Sequence, residues 1–395
     1  MILQMIPVNQ AKQLISEHVQ ALAPVAVSCK DANGLVIAEN IIAPYNIPAY
    51  PQSSMDGYAL AFASVADDIN ISGEMAAGSN KQVALAQGSA VRIFTGAAVP
   101  EGADTVVVQE KVSVENGRLI INDTQLKMGD NVRPVGSEIR LGELAMGSGE
   151  LLTAAAIGFL AGMGIDRVKV YPKPRVSIIV TGNELQQPGL QLEYGQVFES
   201  NSYTLIAALK QLAIEEIEVH RAPDDGFILK TLLNDALERS DLVIMTGGVS
   251  VGDYDFTLRT FESCGVVPVF HKIRQKPGKP ILFGSKAGKP VFGLPGNPAS
   301  VLTCFYEYVY PAIGKLMNKK LELKHERMTM MTPYQKAGTL THFLKAVYSG
   351  WEVRLMQGQE SYKLNSFARA NCLIVIPEET GFVNEGDEVE VHILP

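Results

Sequence analysis

Apolar runs and helical stretches alternate through the middle of the chain. Residues 175–181 form a β-branched run that ends at Thr181 and is followed by a glycine. Residues 241–246 form a second run, which is followed by Gly-Gly. The stretches between them predict a helix over 201–212, a strand over 214–222 and a helix that ends at Glu238. This alternation indicates a parallel α/β sheet, whose ligands bind beyond the carboxyl ends of the strands. The loops predicted at those ends are 181–184, 224–225, 246–255 and 293–298.

The segments on both sides of this sheet have other patterns. Residues 58–141 predict a small β domain, with short alternating runs at 82–85, 90–94, 105–109 and 118–121. A C-terminal β-barrel or sandwich is predicted after about residue 320, from runs at 340–347, 351–355, 373–376 and 388–394. At the N-terminus, residues 8–19 predict an amphipathic helix capped by Asn9, and residues 35–44 predict a strand or a short extended arm. Residues 151–164 predict a charge-free helix buried between domains or subunits.

Residues 241–300 combine three features of an anion-binding site. Gly247-Gly248 lets the backbone approach a ligand and point N–H groups at it. Asn297 and Pro298 suit the cap and first turn of a helix whose N-terminus favours anions. The loop 271–280 is basic although the chain is acidic, and the alternative interpretation is a solvated surface loop. The basic residues of this loop are Lys272, Arg274, Lys276 and Lys279.

Composition limits the partners and the metals. The 395 residues carry a net charge of −8, with a pI near 5.4, which argues against nucleic acid or an anionic membrane as the main partner. The four cysteines and six histidines are scattered, which disfavours disulfides and a zinc site. Any metal is therefore expected to be a hard, oxygen-bound ion such as Mg²⁺. No transmembrane segment or signal peptide is apparent, and a cytoplasmic protein is expected.

Together, seven motifs resemble the MoeA family, the molybdopterin molybdenumtransferases, whose relatives include the gephyrin E domain. The resemblance covers essentially the whole chain. The motifs are Ser54-Met-Asp-Gly-Tyr-Ala59, Arg92-Ile-Phe-Thr-Gly-Ala-Ala-Val-Pro-Glu-Gly-Ala-Asp104, Asn131-Val-Arg-Pro134, Thr181-Gly-Asn-Glu-Leu185, Gly247-Gly-Val-Ser-Val-Gly252, Lys276-Pro-Gly-Lys-Pro280 and Gly293-Leu-Pro-Gly-Asn-Pro298.

The resemblance implies four domains and a homodimer. They are a helical and extended stalk (1–45 and 142–172), an inserted β domain (46–141), a parallel-sheet α/β pterin-binding domain (173–320) and a C-terminal β-barrel (321–395). The active site is expected between the α/β domain of one subunit and the β domain of the other. The implied reaction inserts molybdate into adenylylated molybdopterin and releases AMP with the assistance of Mg²⁺. A MogA-like adenylyltransferase is the expected substrate donor.

The resemblance also assigns roles to individual residues. From spacing alone, Asp56-Gly57 is expected to form a turn, and for Thr95-Gly96 a turn is as probable as a functional role. The family pattern instead implies that Asp56 and Thr95 are catalytic. The implied catalytic residues are Asp56, Thr95, Glu184, Asp225, Asp255, Lys276 and Lys279, with Glu184, Asp225 and Asp255 as Mg²⁺ ligands and Asp224 as a close rival of Asp225. The implied substrate-binding residues are Arg133, Glu138, Thr181, Gly247, Gly248, Ser250, Pro295, Gly296, Asn297, Pro298 and Ser300.

The chain departs from the family pattern at three positions. Asn183 and Glu138 stand where the family usually has Asp, and Lys345 stands where Arg is more usual. Lys345, Ser366 and Arg369 are the implied molybdate contacts, although Lys lacks the planar fork with which Arg grips an oxyanion. Two other functions remain open: a MogA-like molybdopterin adenylyltransferase and a non-catalytic, gephyrin-like scaffold. The β domain and barrel argue against the first, and the intact carboxylates and lysines argue against the second.

Overall fold

The computed structural model describes residues 5–80, 83–248 and 256–395. The chain divides into two compact units: residues 26–169 form the β unit, while residues up to 25 and from 170 onward form the α/β–barrel unit. Helix α1 (Val8–His18) matches its prediction, but Pro7 rather than Asn9 occupies the N-cap position. Asn9 lies inside the first turn, since Pro7 already ends the extended backbone there.

The described part of the β unit contains four sheets, one α-helix and three short 3-10 helices. Its strands are β1 (Val25–Ser28), β2 (Val36–Ile37), β3 (Ile41–Ile42), β4 (Gln52–Ser53), β5 (Gly57–Leu60), β6 (Ile69–Met75), β7 (Ser89–Ile93), β8 (Thr105–Val108), β9 (Val112–Glu115), β10 (Arg118–Ile121), β11 (Val132–Arg133), β12 (Leu144–Met146) and β13 (Arg167–Tyr171). The largest sheet has the order β8-β5-β7-β6-β10-β9. Three smaller sheets have the orders β1-β13-β2, β11-β4 and β12-β3.

The six-stranded sheet buries apolar side chains on both faces. Successive residues such as Ala59 and Leu60, or Val106 and Val107, enter two different apolar clusters, as expected for side chains that alternate along a strand. Strand β6 was not predicted. The predicted strand at 82–85 is reduced, in its described part, to a single bridge between Ala84 and Glu101.

Helix α2 (Ala154–Gly162) begins at Thr153, whose side chain accepts a hydrogen bond from the Ala156 N–H. It confirms the helix predicted within 151–164. Leu160 is its buried residue, and most of its other side chains are partly or fully exposed within one chain. The expected burial against a second subunit stays a prediction.

Among its described residues, the α/β part of the second unit contains nine strands and five α-helices. They are β14 (Val176–Thr181), β15 (Leu185–Gln186), β16 (Val197–Phe198), α3 (Asn201–Gln211), β17 (Ile217–Ala222), α4 (Gly226–Arg239), β18 (Leu242–Thr246), α5 (Phe256–Ser263), β19 (Val267–His271), β20 (Gln275–Lys276), β21 (Leu282–Lys286), β22 (Lys289–Leu294), α6 (Pro298–Cys304) and α7 (Tyr310–Leu316). A π-helical turn (Phe305–Val309) joins the last two helices.

The main sheet has the order β17-β14-β18-β22-β21-β19. Its first four strands are parallel, which confirms the predicted α/β sheet, while β21 and β19 run antiparallel at one edge. Side chains from these strands and from α4 and α5 form an apolar core that includes Leu233, Val243 and Phe261. The parallel strands place their carboxyl-end loops at one edge of the sheet.

The C-terminal part is a closed barrel. Its elements are β23 (Lys324–Met330), β24 (Tyr334–Gln335), β25 (Thr341–Ser349), β26 (Glu352–Leu355), α8 (Leu364–Phe367), β27 (Cys372–Ile376), β28 (Phe382–Val383) and β29 (Glu388–Ile393). The pairings β25-β26-β23-β29-β27 close because β27 also pairs with β25. Strand β20 adds in parallel to β25 and thereby links the barrel to the basic loop.

No helix among the described residues is long and apolar enough to cross a membrane. The four domain boundaries implied by the resemblance stay a prediction.

Candidate active site

A cavity of about 830 Å³ opens at the carboxyl ends of the parallel strands. It brings together eleven of the residues assigned from the sequence: Thr181, Glu184, Gly247, Gly248, Lys276, Lys279, Pro295, Gly296, Asn297, Pro298 and Ser300. The barrel contributes Leu340, Gln359, Ser361 and Tyr362 to the same wall. All four loops predicted at the strand ends therefore contribute residues to this cavity, as the topology of a parallel sheet leads one to expect.

Two glycines allow these loops to meet. A Cβ on Gly247, where φ is +88°, would lie 2.1 Å from the Thr181 carbonyl oxygen, so the loop after β18 touches the loop after β14. A Cβ on Gly278 would lie 2.4 Å from the Cys304 Sγ, and this close approach seats the basic loop against α6. Any larger residue at either position has to push these loops apart.

Asp224 is the acidic residue that the loop after β17 contributes to the cavity wall. Its Oδ1 accepts a hydrogen bond from Thr181 Oγ1 at 2.6 Å, and its backbone N–H donates to Asn183 Oδ1 at 3.1 Å. An asparagine at 183 therefore has a structural use, because its carbonyl oxygen fixes the Asp224 loop. Asp224 and the exposed Glu184 lie on adjacent loops of the same wall.

Asp225 has a structural role at the start of α4. It is the N-cap of α4, and its Oδ1 accepts hydrogen bonds from the backbone N–H groups of Phe227 at 2.9 Å and Ile228 at 3.0 Å. It is not among the residues that line the cavity. The metal role implied for Asp225 stays a prediction, and the geometry favours its rival Asp224.

The basic loop is held from beneath by buried side chains. Gln275 is fully buried, its Nε2 donates to the Pro277 carbonyl oxygen at 2.9 Å, and its Oε1 accepts from the Tyr308 hydroxyl. Lys276 and Lys279 on this loop are exposed and line the cavity. A buried scaffold thus places both lysines at the cavity, which favours the predicted anion site over a merely solvated surface loop.

The start of α6 differs from its prediction. Asn297 and Pro298 occupy the cap and first position as expected, but the Asn297 side chain makes no capping hydrogen bond. Instead its Nδ2 donates to Ser361 Oγ at 2.8 Å, while the Ala299 N–H donates to the Ser361 carbonyl oxygen at 3.0 Å. A barrel loop thus occupies a donor that the predicted anion site would have used.

Lys345 and Ser366 are buried and face the protein rather than the cavity. The Lys345 Nζ donates to the carbonyl oxygens of Gly358, Glu360 and Lys363 at 2.7, 3.3 and 2.9 Å. Ser366 Oγ donates to the carbonyl oxygens of Gly358 at 2.7 Å and Lys363 at 3.1 Å. The two side chains hold the loop 358–363, which carries the cavity residues Gln359, Ser361 and Tyr362. Arg369, the third implied molybdate contact, is exposed and does not line the cavity.

Four implied site residues belong to the β unit. Asp56 Oδ1 accepts from the Thr95 N–H at 2.8 Å and from Thr95 Oγ1 at 2.7 Å, and these hydrogen bonds, the backbone one first, lower the pKa of Asp56. Arg133 lies on β11 opposite Gln52 of β4, and Gln52 is close in sequence to Asp56. Arg133 and Glu138 are both exposed. The Asp56–Thr95 contact joins two distant motifs that spacing alone could not connect. Ser250 and Asp255 lie outside the described residues.

Comparisons with known proteins agree over nearly the whole chain. Three family models match: the MoeA N-terminal region (domain I and II) at residues 6–164, a probable molybdopterin binding domain at 177–315 and the MoeA C-terminal region (domain IV) at 327–394. A molybdopterin molybdenumtransferase of Haemophilus influenzae is 35% identical and aligns over 93% of each chain. One from Nostoc sp. is 34% identical over 92% of this chain and 87% of the relative. The chain belongs to the molybdopterin molybdenumtransferase family.

A solved structure supports the same family. The molybdopterin biosynthesis MoeA protein from Pyrococcus horikoshii superposes with a TM-score of 0.84 at 30% identity, covering 99% of both chains. The family therefore accounts for the β unit, the α/β sheet and the closed barrel together.

Sequence reasoning missed the residues that hold the family motifs in place. Asn201 Nδ2 donates to the Gly296 carbonyl oxygen at 2.8 Å, and the buried Glu199 accepts from the Ser202 N–H at 2.7 Å. Ser361 and Tyr362 enter the cavity from the barrel. A buried polar residue beside a motif is the one signal in the sequence that points to the first pair, while the barrel contacts depend on tertiary packing alone.

His342 lies opposite Lys276 in the parallel pairing of β25 with β20. From its buried position we predict that the protein becomes less stable in acid. Burial, then the charges of Lys276 and Lys336, lower the pKa of His342 from 6.5 to about 4. Below pH 6.5 the unfolded chain binds a proton that the folded chain binds only near pH 4. We expect the free energy of unfolding to fall by about 3 kcal/mol across this window and then level off.

Urea unfolding of the wild type and of His342→Gln at pH 7 and pH 4.5 measures this effect. The variant should lose less stability than the wild type between the two pH values, because its amide does not titrate. Equal losses in both proteins would show that His342 does not cause the acid sensitivity.

Proposed function

We propose that this chain inserts molybdate into adenylylated molybdopterin and releases AMP, which yields molybdenum cofactor. The observation that carries the proposal is the cavity at the strand ends, where two lysines and three acidic residues, Glu184, Glu199 and Asp224, surround glycine-rich loops. Its volume of about 830 Å³ suits a ligand of nucleotide size. The family membership supplies the reaction class, and the cavity supplies groups that suit its substrates.

The charges of the wall match those of the proposed substrates. Adenylylated molybdopterin carries a pyrophosphate and a dithiolene, and molybdate is a doubly charged oxyanion. The ammonium groups of Lys276 and Lys279 would offset this charge as it gathers in one cavity. The backbone around Gly247 and Gly248 would add neutral N–H donors, which bind anions without adding further charge.

Mg²⁺ fits the acidic part of the wall. Glu184 and Asp224 offer carboxylate oxygens, the hard ligands that this ion prefers beside phosphate groups. Bound there, Mg²⁺ would neutralise charge on the pyrophosphate. Thr181 holds Asp224 in position through their hydrogen bond. Asp56 and Thr95 of the β unit would take part as the catalytic pair that the family resemblance implies.

The proposal extends to assembly and location. We infer a homodimer that receives its substrate from a MogA-like adenylyltransferase, and the exposed apolar helix α2 supports a subunit contact. A cytoplasmic location is supported by the four cysteines, all of which are free thiols. Sedimentation of the purified chain at micromolar concentration tests the dimer, which a monomeric mass would contradict.

AMP release from adenylylated molybdopterin tests the function. The assay compares four mixtures, with and without molybdate and with and without Mg²⁺, and uses Lys279→Ala as the matched inactive control. Release that needs both ions supports the proposal. Tight nucleotide binding without molybdate-dependent release would instead support the scaffold function, and synthesis of the adenylylated compound from ATP would support the adenylyltransferase.

A further inference from the structure

Two histidines far apart in the sequence meet on the barrel. His325 of β23 stands directly opposite His392 of β29 in their antiparallel register, and Glu390 precedes His392 by two residues. Residues two apart on a strand share a face, so all three side chains project from the same side of the sheet. The interpretation that the histidines of this chain do not cluster is therefore wrong, because strand pairing joins them.

The distances within this set suit a shared ion. His392 Nε2 lies 3.0 Å and His325 Nδ1 lies 3.4 Å from Glu390 Oε1, and one ligand atom of each residue lies within 4.8 Å of the others. Ligands about 2.0–2.2 Å from a tetrahedral ion stand roughly 3.3–3.5 Å apart. Glu390 and His325 are partly exposed, which leaves an open side for water.

A buried carboxylate orients one of the imidazoles. Glu307, in the π-helical turn, accepts from His392 Nδ1 at 2.7 Å and from Lys12 Nζ at 2.5 Å. Glu307 thereby fixes the orientation of the His392 ring, whose Nε2 faces Glu390. Metal-binding histidines characteristically have such a carboxylate partner on the other ring nitrogen.

The imidazoles have to move slightly to bind together. Their rings are stacked, with centroids 3.8 Å apart and an interplanar angle of 12°. A metal lies in the plane of each ring that binds it, so two parallel rings cannot both hold one ion. The half-exposed His325 would have to turn about its Cβ–Cγ bond to bind the ion, while the hydrogen bond to Glu307 holds His392.

We propose that His325, Glu390 and His392 form a site for a borderline divalent transition metal, with Zn²⁺ as its natural occupant. Two imidazole nitrogens and one carboxylate oxygen are a ligand set that Zn²⁺ accepts with water in the fourth position. Mg²⁺ prefers all-oxygen ligands and is not expected here. The ion would tie β23 to β29 on the barrel, and the site is separate from the cavity of the proposed reaction.

Titration of the chelator-treated full chain with Zn²⁺ at pH 7.5 tests the site, with Co²⁺ as a visible-absorption probe of its geometry. The wild type should bind about one equivalent and give the strong d–d bands of a tetrahedral N/O site. His325→Ala should weaken binding at least about tenfold, because the loss of a ligand costs no less than the loss of its carboxylate partner. His325 is exposed enough for this variant to keep its fold.

His220→Ala is the matched control. Glu218 and His220 repeat the Glu-x-His spacing on β17, but Ile179 stands opposite His220 in the neighbouring strand. This variant should bind Zn²⁺ as the wild type does. The absence of saturable binding in the wild type, equal binding by His325→Ala or displacement of Zn²⁺ by millimolar Mg²⁺ would each overturn the proposal.

Discussion

Asp224→Asn is expected to lower turnover by about 10²–10³-fold, the scale on which losing one electrostatic contact to a developing charge slows an enzyme. Asp224 lines the cavity and is positioned by Thr181. An amide keeps that hydrogen bond but removes the negative charge that a metal ligand needs beside a pyrophosphate. The fold should remain intact, since Asn matches Asp in size. The measurement is steady-state AMP release at saturating molybdate and Mg²⁺.

Asp225→Asn is the matched control, one residue along the chain. Asp225 caps α4 through two backbone N–H groups, and Asn is an equally good cap. Its turnover should stay within about a factor of two of the wild type, and its unfolding free energy within about 1 kcal/mol. If Asp225→Asn loses turnover while Asp224→Asn keeps it, the assignment implied by the family resemblance is correct and the geometric choice of Asp224 is wrong.

These two neighbours show what the sequence can predict about the site. Strand and helix periodicity placed the loop 224–225 at the carboxyl end of β17, because both periods are local properties of the chain. Which of the two carboxylates faces the cavity depends on the first turn of α4, and that turn orients Asp225 toward its own N–H groups. The pattern Asp-Asp-Gly carries no information about that choice.

The pairing register of strands that are far apart in the sequence is even harder to predict from the hydrophobic pattern. Four of the five strands of the closed barrel were predicted as separate runs, and β23 was missed. Nothing local in those runs shows that β23 pairs with β29, or that this pairing stacks His325 on His392. The same holds for Asn297, which looks like a helix cap and instead donates to Ser361 of the barrel. Partners far apart in the sequence decide these roles.

Lys345 gives the second large effect, because its three hydrogen bonds hold a loop of the cavity wall. An ammonium group has three donors, and Lys345 uses them on three backbone carbonyl oxygens. Lys345→Met should lower the unfolding free energy by about 2–3 kcal/mol, because buried acceptors lose charged donors. The loosened loop should also raise KM for the nucleotide substrate, since Ser361 contacts the start of α6.

The alternative role as a molybdate contact predicts a different pattern for Lys345→Met. A direct contact would raise KM for molybdate selectively and leave stability and nucleotide binding close to the wild type. Lys363→Met is the matched control: its exposed ammonium pairs with Glu360 at 2.9 Å on the same loop, so the variant removes one positive charge without touching the three carbonyl contacts. Because exposed pairs of this kind contribute at most about 1 kcal/mol, this control should stay near the wild type in stability. A selective molybdate defect in a stable Lys345→Met protein would restore the role implied by the family, whereas loss of stability with weaker nucleotide binding would establish Lys345 as the residue that positions the loop.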